Sequence, residues 1–243
     1  MKKRNKITPF IILFLFTFLG SCVDISWGCV EGNGRIVSEE RSIGDFEEIV
    51  SSGSFVVEVK LSSQTGIWIE TDENLLPYIE TSIQGNTLVL ETKSARCIRS
   101  REAIIIYVDA INIEKLKLSG SGVIYCDNVV GEDFEVVLPG SGKISCLGLD
   151  VNYLIASLPG SGEIEVGGYA TISEYTLSGS GLIKGIDLIT EKCYASIPGS
   201  GNIYTTVTNL LDYSISGSGN LYYKGSPEII GDITGSGNIR EYN

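Results

Sequence analysis

The tripeptide Gly-Ser-Gly occurs seven times in the second half of this chain, starting at Gly120, Gly140, Gly160, Gly179, Gly199, Gly217 and Gly235. The steps between copies are 20, 20, 19, 20, 18 and 18 residues. A period near 20 held over that many copies is the mark of a solenoid, in which each copy is one coil that cannot bury its apolar side alone. Four residues after the first glycine stand Ile124, Ile144, Ile164, Ile183, Ile203, Leu221 and Ile239. Two residues before it stand Leu118, Leu138, Leu158, Leu177, Ile197, Ile215 and Ile233. Both columns are apolar in every copy. Between corners the pattern mostly alternates, as in Phe134, Val136 and Leu138, which is the period of a strand. Stacked coils set equivalent residues about 4.8 Å apart along a parallel ladder, so the two columns become the filled interior.

The corner itself has a structural task. A short coil must turn sharply between flat strands, and glycine offers both positive φ and room for the neighbouring backbone. A single Gly-rich loop can also cradle phosphate. Here the unit recurs seven times and opens no helix, so the corner reading is adopted. The fold class expected is therefore all-β: a single parallel β-helix or β-solenoid, right-handed by preference, with an irregular N-terminal cap. Residues 39–118 are read as the cap and first coils and 119–243 as the regular repeats. Within the cap, Phe55, Val57, Val59 and Leu61 alternate, and Ile104 to Val108 reads as a strand buried on both faces. A short helix is expected from Glu73 to about Thr81, with Asp72 as its N-cap. Ser51-Ser52-Gly53-Ser54 looks like a degenerate copy of the later corner.

The N-terminus reads as an address. Lys2, Lys3, Arg4 and Lys6 precede an apolar run from Phe10 to Leu19, too short to span a bilayer comfortably. Leu19-Gly20-Ser21-Cys22 then resembles a bacterial lipobox, which makes residues 1–21 a lipoprotein signal peptide and Cys22 the lipidated residue. Residues 22–38 are read as a tether. Loss of residues 1–21 removes those four basic side chains and leaves 14 basic against 30 acidic, a net charge of −16. Such a surface repels phosphodiester backbones, so no nucleic acid partner is expected, and the membrane is reached through acyl chains on Cys22. The expected location is the exported bacterial cell envelope, at the outer membrane.

These residues resemble a known family, the putative auto-transporter adhesin, head GIN domain proteins. The likeness rests on Gly-Ser-Gly-Asn-Ile at Gly199–Ile203 and Gly235–Ile239, with Gly217–Leu221 a near copy. It extends to Glu40-Arg41, Phe46-Glu47-Glu48-Ile49 and Asp72 to Leu76, and covers roughly residues 38–243. The resemblance implies an exported, often lipidated protein built as a parallel β-helix-like solenoid. It brings no catalytic motif.

The chain contains no histidine, which removes Ser-His-Asp and Cys-His catalysis and His-ligated zinc. The corners lack the Asp column of calcium-binding β-solenoids, so no repeat-bound metal and no cofactor are expected. Glu163 and Glu165 share a strand face at a separation of roughly 6.5–7 Å, within reach of an inverting glycosidase. Lys143 and Lys184 flank them, which points to a solvated, charge-balanced face instead.

The sharpest binding candidate is a strip on the last three coils: Asn202, Tyr204, Asn220, Tyr222, Asn238 and Arg240. Flat aromatic rings beside amides can stack on sugars and hydrogen-bond their hydroxyls. The same columns also stabilise stacked strands with no ligand present. Cys126 and Cys146 share an inward column, where they form a disulfide or pack as thiols; Cys29 with Cys97 is a second pairing that requires the tether to fold back over the cap. The function expected is that of a non-catalytic cell-envelope lipoprotein, an adhesin or a module that binds glycan or surface protein. A polysaccharide lyase or hydrolase of parallel β-helix type, and a purely structural envelope protein, are the alternatives.

Overall fold

The computed structural model describes residues 28–93 and 97–242. Residues 1–21 and the lipidation candidate Cys22 lie outside that range. The chain forms a β-solenoid of about 6 turns. Ile124, Ile144, Ile164, Ile183, Ile203, Leu221 and Ile239 pair in register across successive parallel strands. The first six of them are fully buried, as are Leu118, Leu138, Leu158, Leu177, Ile197 and Ile215. Each such side chain contributes about 2 kcal/mol of burial free energy, so the two columns are a large share of what holds the stack together. Burial fades at the last coil, where Ile239 is half-covered and Ile233 is 38% exposed.

The corners stack as tightly as the columns. The carbonyl oxygens of Gly120, Gly140, Gly179, Gly199 and Gly217 sit where a side chain on Gly140, Gly160, Gly199, Gly217 and Gly235 would begin. The same carbonyls accept the amide protons of Ser141, Ser161, Ser200, Ser218 and Ser236 at 2.9–3.3 Å, so the close approach and the ladder are one feature. None of these corner glycines has a positive φ. The expectation of left-handed corners is thus corrected: glycine is needed for close packing, not for backbone conformation. The degenerate corner is real, because Gly120 stacks on the carbonyl of Gly53 and Gly122 on that of Phe55.

The cap closes the N-terminal end with antiparallel pairing. Ile36–Arg41 pairs with Gly66–Asp72, and Gly66–Asp72 with Ile105–Ala110. Ile79–Gln84 and Thr87–Thr92 form a hairpin around Gly85, whose φ of 66° fits the tight turn. Ile105–Ala110 is buried on one face only, with Ile106, Val108 and Ala110 inside and Ile105 and Tyr107 half-covered, which corrects the two-sided reading.

Three further expectations are corrected here. The segment read as a tether is folded from its second third onward: Val30–Glu31 pairs with Ile98–Arg99, and Ile36–Arg41 is a six-residue strand. The helix shrinks to a 3-10 turn over Leu76–Tyr78, with no side-chain cap. Asp72 is occupied elsewhere, as a buried carboxylate that accepts from the Gly34 N–H at 2.5 Å and the Ser100 hydroxyl at 2.7 Å. The disulfide joins Cys29 to Cys97, and Cys126 and Cys146 are free, buried thiols. Inward side chains on neighbouring coils run side by side into the core, where these two pack as small apolar groups. Cys29 meets Cys97 because the N-terminal segment does fold back.

Candidate ligand-binding face

Every other residue after a corner points outward, and parallel in-register pairing turns those residues into two straight rows. One row runs Val123, Lys143, Glu163, Leu182, Asn202, Asn220, Asn238. Its neighbour runs Tyr125, Ser145, Glu165, Lys184, Tyr204, Tyr222, Arg240. All six residues of the expected strip therefore lie together on one face. Asn220 donates from Nδ2 to Oδ1 of Asn202 at 2.9 Å, while Asn238 and Arg240 are exposed on the last coil.

The tyrosines are arranged differently from a sugar platform. The rings of Tyr204 and Tyr222 stack at 4.6 Å between centroids with 13° between planes. Tyr242 meets both edge-on, at 5.4 Å and 6.5 Å, and the Lys224 ammonium stands 5.1 Å from the Tyr242 ring. Tyr204 and Tyr222 thus turn one face each onto the other, and what the pair offers a ligand is ring edges and hydroxyls. Burial, and then Tyr222 and Tyr242, push the Tyr204 phenol above its ordinary value, so it stays protonated and both donates and accepts. Tyr242 was not singled out from the sequence because it follows the last repeat and belongs to no column. Its amide donates to the Tyr223 carbonyl at 2.7 Å, which brings it back onto the face.

The corners add a third row that sequence reasoning assigned to structure alone. Ser121, Ser141, Ser161, Ser180, Ser200, Ser218 and Ser236 are all exposed. A shallow groove of about 460 Å³ runs between this serine row and the outward face, lined by Ser141, Ser161, Ser180, Glu163, Asn202 and Tyr204 among others. On the last three coils the unit repeats as hydroxyl, amide and then a longer polar side chain: Ser200-Asn202-Tyr204, Ser218-Asn220-Tyr222, Ser236-Asn238-Arg240.

The carboxylate pair sits in the middle of the face. Lys143 Nζ lies 3.0 Å from Glu163 and 2.5 Å from Glu165, and Lys184 Nζ lies 2.9 Å from Glu163. Partial burial works to raise the Glu163 carboxyl, yet hydrogen bonds from Lys184 and Lys143 hold it below its ordinary value. A general acid needs the opposite shift. These ion pairs are half-exposed and each adds about 0.5 kcal/mol to stability.

The buried cysteines have no part in this face. Burial, helped by Asp127, pushes the Cys126 thiol up to about 12, and burial, opposed by the neighbouring Ser173 and Thr205 hydroxyls, pushes Cys193 up to about 11. Cys146 is raised by burial as well. Such thiols are poor nucleophiles.

A family model described as putative auto-transporter adhesin, head GIN domain, matches residues 45–227. Among solved structures, a putative adhesin from Bacteroides fragilis NCTC 9343 superposes with a TM-score of 0.82 at 21% identity, covering 88% of this chain and 100% of that one. A putative lipid binding protein from Parabacteroides distasonis ATCC 8503 gives 0.71 at 31% identity, over 89% of this chain and 100% of that one. A putative adhesin from Parabacteroides merdae ATCC 43184 gives 0.67 at 23% identity, over 88% and 99%. No curated protein matches. The first and third likenesses are likenesses of fold.

Proposed function

The chain belongs to the putative auto-transporter adhesin, head GIN domain family, and from that premise we propose that it is a non-catalytic adhesion module at the cell surface. In this reading acyl chains on Cys22 hold it to the outer membrane, and the face carrying Asn202, Tyr204, Asn220, Tyr222, Asn238 and Arg240 holds a glycan. The observation that carries the reading is the threefold polar unit of the last coils, with hydroxyls, amides and phenols lined up at the coil spacing of about 4.8 Å. A ligand that is itself a string of hydroxyl groups matches such an array, since every member but Arg240 both donates and accepts. Each hydrogen bond contributes only about 1 kcal/mol net, so binding depends on several being made together.

The charge pairing on the middle coils supports binding over hydrolysis. Glu163 is held in its ionised form by two lysines, and Glu165 is tied to one of them. The similar protein from Parabacteroides distasonis, described as a putative lipid binding protein, invites a lipid role, yet the interior columns of this solenoid are filled by side chains. Lipid is therefore assigned to the covalent anchor.

The test uses the secreted Cys22→Ser protein on a glycan array and on cell surfaces. Tyr204→Ser with Tyr222→Ser lowers retention at least tenfold. Asn238→Ala with Arg240→Ala, both exposed, does so without lowering the melting temperature. Retention unchanged in both folded double variants removes the binding reading and leaves a structural envelope role for the ladders. Metabolic labelling with a fatty-acid probe that persists in Cys22→Ser removes the anchor.

A further inference from the structure

The outward row that carries Tyr204 and Tyr222 continues past Tyr125 into the cap. Tyr125 pairs in register with Glu58, Glu58 with Tyr107, and Tyr107 with Trp68. A second aromatic station therefore lies on the same face, at the opposite end of the solenoid. A surface cavity of about 320 Å³ opens there, lined by Glu58, Lys60, Tyr107, Asp109, Tyr125 and Asp127. Its tyrosines differ from the C-terminal pair in one decisive respect. Tyr107 and Tyr125 are two strands apart, about 10 Å, with the Glu58 carboxylate between them. They are too far apart to stack on each other, and the Glu58 side chain stands in the row between them.

The two stations are collinear. Four strand steps separate Tyr125 from Tyr204, about 19 Å, and seven separate Tyr107 from Tyr222, about 34 Å. The span between them holds Ser145, Glu165 and Lys184, beside Lys143 and Glu163 in the next row. Those charges are already paired with one another and leave a midsection without net charge. At the cap end Glu58, Asp109 and Asp127 outnumber Lys60, which repels polyanions while offering acceptors to hydroxyl donors. Every strand between the stations is hydrogen-bonded on both sides, so a peptide has no edge to extend here.

Resting on the function proposed above, we infer that the ligand is an extended, neutral, linear polysaccharide lying along the solenoid axis, gripped at both stations, and recognised by its internal stretch rather than by a terminal sugar. The cap station supplies ring contact and carboxylate acceptors. The C-terminal station supplies the comb of amides and hydroxyls.

The secreted Cys22→Ser protein is passed over immobilised neutral glucans, mannans, xylans and galactans, and over alginate and pectate as anionic controls. Size-fractionated oligomers of the retained neutral polymer are then titrated. Affinity is expected to rise at least about tenfold once the oligomers reach the distance between stations, because the second contact becomes intramolecular. Tyr125→Ser with Glu58→Gln, an exposed side chain and an isosteric change, lowers affinity for long oligomers to that of short ones and leaves short ones unaffected. Tyr204→Ser with Tyr222→Ser weakens both. Equal affinity for short and long oligomers, a silent cap variant, or retention on the anionic polymers alone overturns this inference while leaving glycan binding standing. Retention on no polysaccharide, or on protein surfaces alone, overturns both.

Discussion

The carbonyl oxygen of Gly120 lies where the β-carbon of any other residue at Gly140 would have to be. The obstacle is backbone, held by the next coil's ladder, and cannot swing away as a side chain could. Gly140→Ala is expected to destabilise the protein by about 3 kcal/mol, read from urea unfolding. Gly131, in open space, provides the control: Gly131→Ala changes stability by less than about 0.5 kcal/mol. Equal effects at the two sites would show that the corners do not stack this tightly.

Position along the axis sets the worth of an isoleucine. Ile183 is fully buried between coils, so Ile183→Ala opens a cavity and is expected to lower stability by about 3 kcal/mol. Ile233 occupies the other interior column on the last coil and is 38% exposed, so Ile233→Ala is expected to lower it by less than about 1 kcal/mol. Thermal melts of the two variants check the gradient.

The Cys29–Cys97 bridge closes a loop with a sequence separation of 68 and fastens the N-terminal segment to the cap. Chain entropy puts its contribution at about 4 kcal/mol. Cys29→Ser with Cys97→Ser should lower the melting temperature markedly and expose the strand Ile36–Arg41 to hydrogen exchange. Cys126, Cys146 and Cys193 should resist alkylation in the native state and react only after unfolding, as counted by mass on the Cys22→Ser protein.

Acid should loosen the same region. The hydrogen bond from Ser100 is the main influence holding the Asp72 carboxyl below its ordinary 3.8, opposed by burial and assisted by the Gly34 N–H. The native state therefore binds that proton less readily than the unfolded chain. Its stabilisation is whole above about pH 5 and is lost as pH falls through 3.8 toward the lowered native value. Glu163 acts in the same direction. Asp72→Asn should cost about 2 kcal/mol at pH 7 and flatten the acid side of the stability profile, measured by urea unfolding from pH 7 to pH 3.

The repeats were legible because each coil states the same requirement again. Ile144 says nothing alone, but seven apolar residues at one offset can only be a shared interior. The outward strip followed from the same parity. The reason for the corner glycines was half legible: composition marks a tight place, but whether φ or a neighbouring carbonyl makes it tight depends on how closely coils approach. The cap hid its pairing because Ile36–Arg41 meets Gly66–Asp72 only across intervening strands, and no period announces it. Asp72 looked like a helix cap for the same reason, since Gly34 and Ser100 reach it from distant parts of the chain. The geometry of the tyrosines was beyond reach as well. A row of aromatic residues one strand apart fixes where the rings sit, and only their mutual contact decides which surfaces are left for a guest.

Because each winding repeats its neighbour's backbone almost residue for residue, the length of the outward face is quantised. Duplicating one copy of some twenty residues would push the two aromatic ends apart by a single strand width and leave every contact within them unchanged. Deleting one would shorten the reach by the same increment. Relatives that share the corner but differ in copy number would then measure different lengths of polymer with the same chemistry.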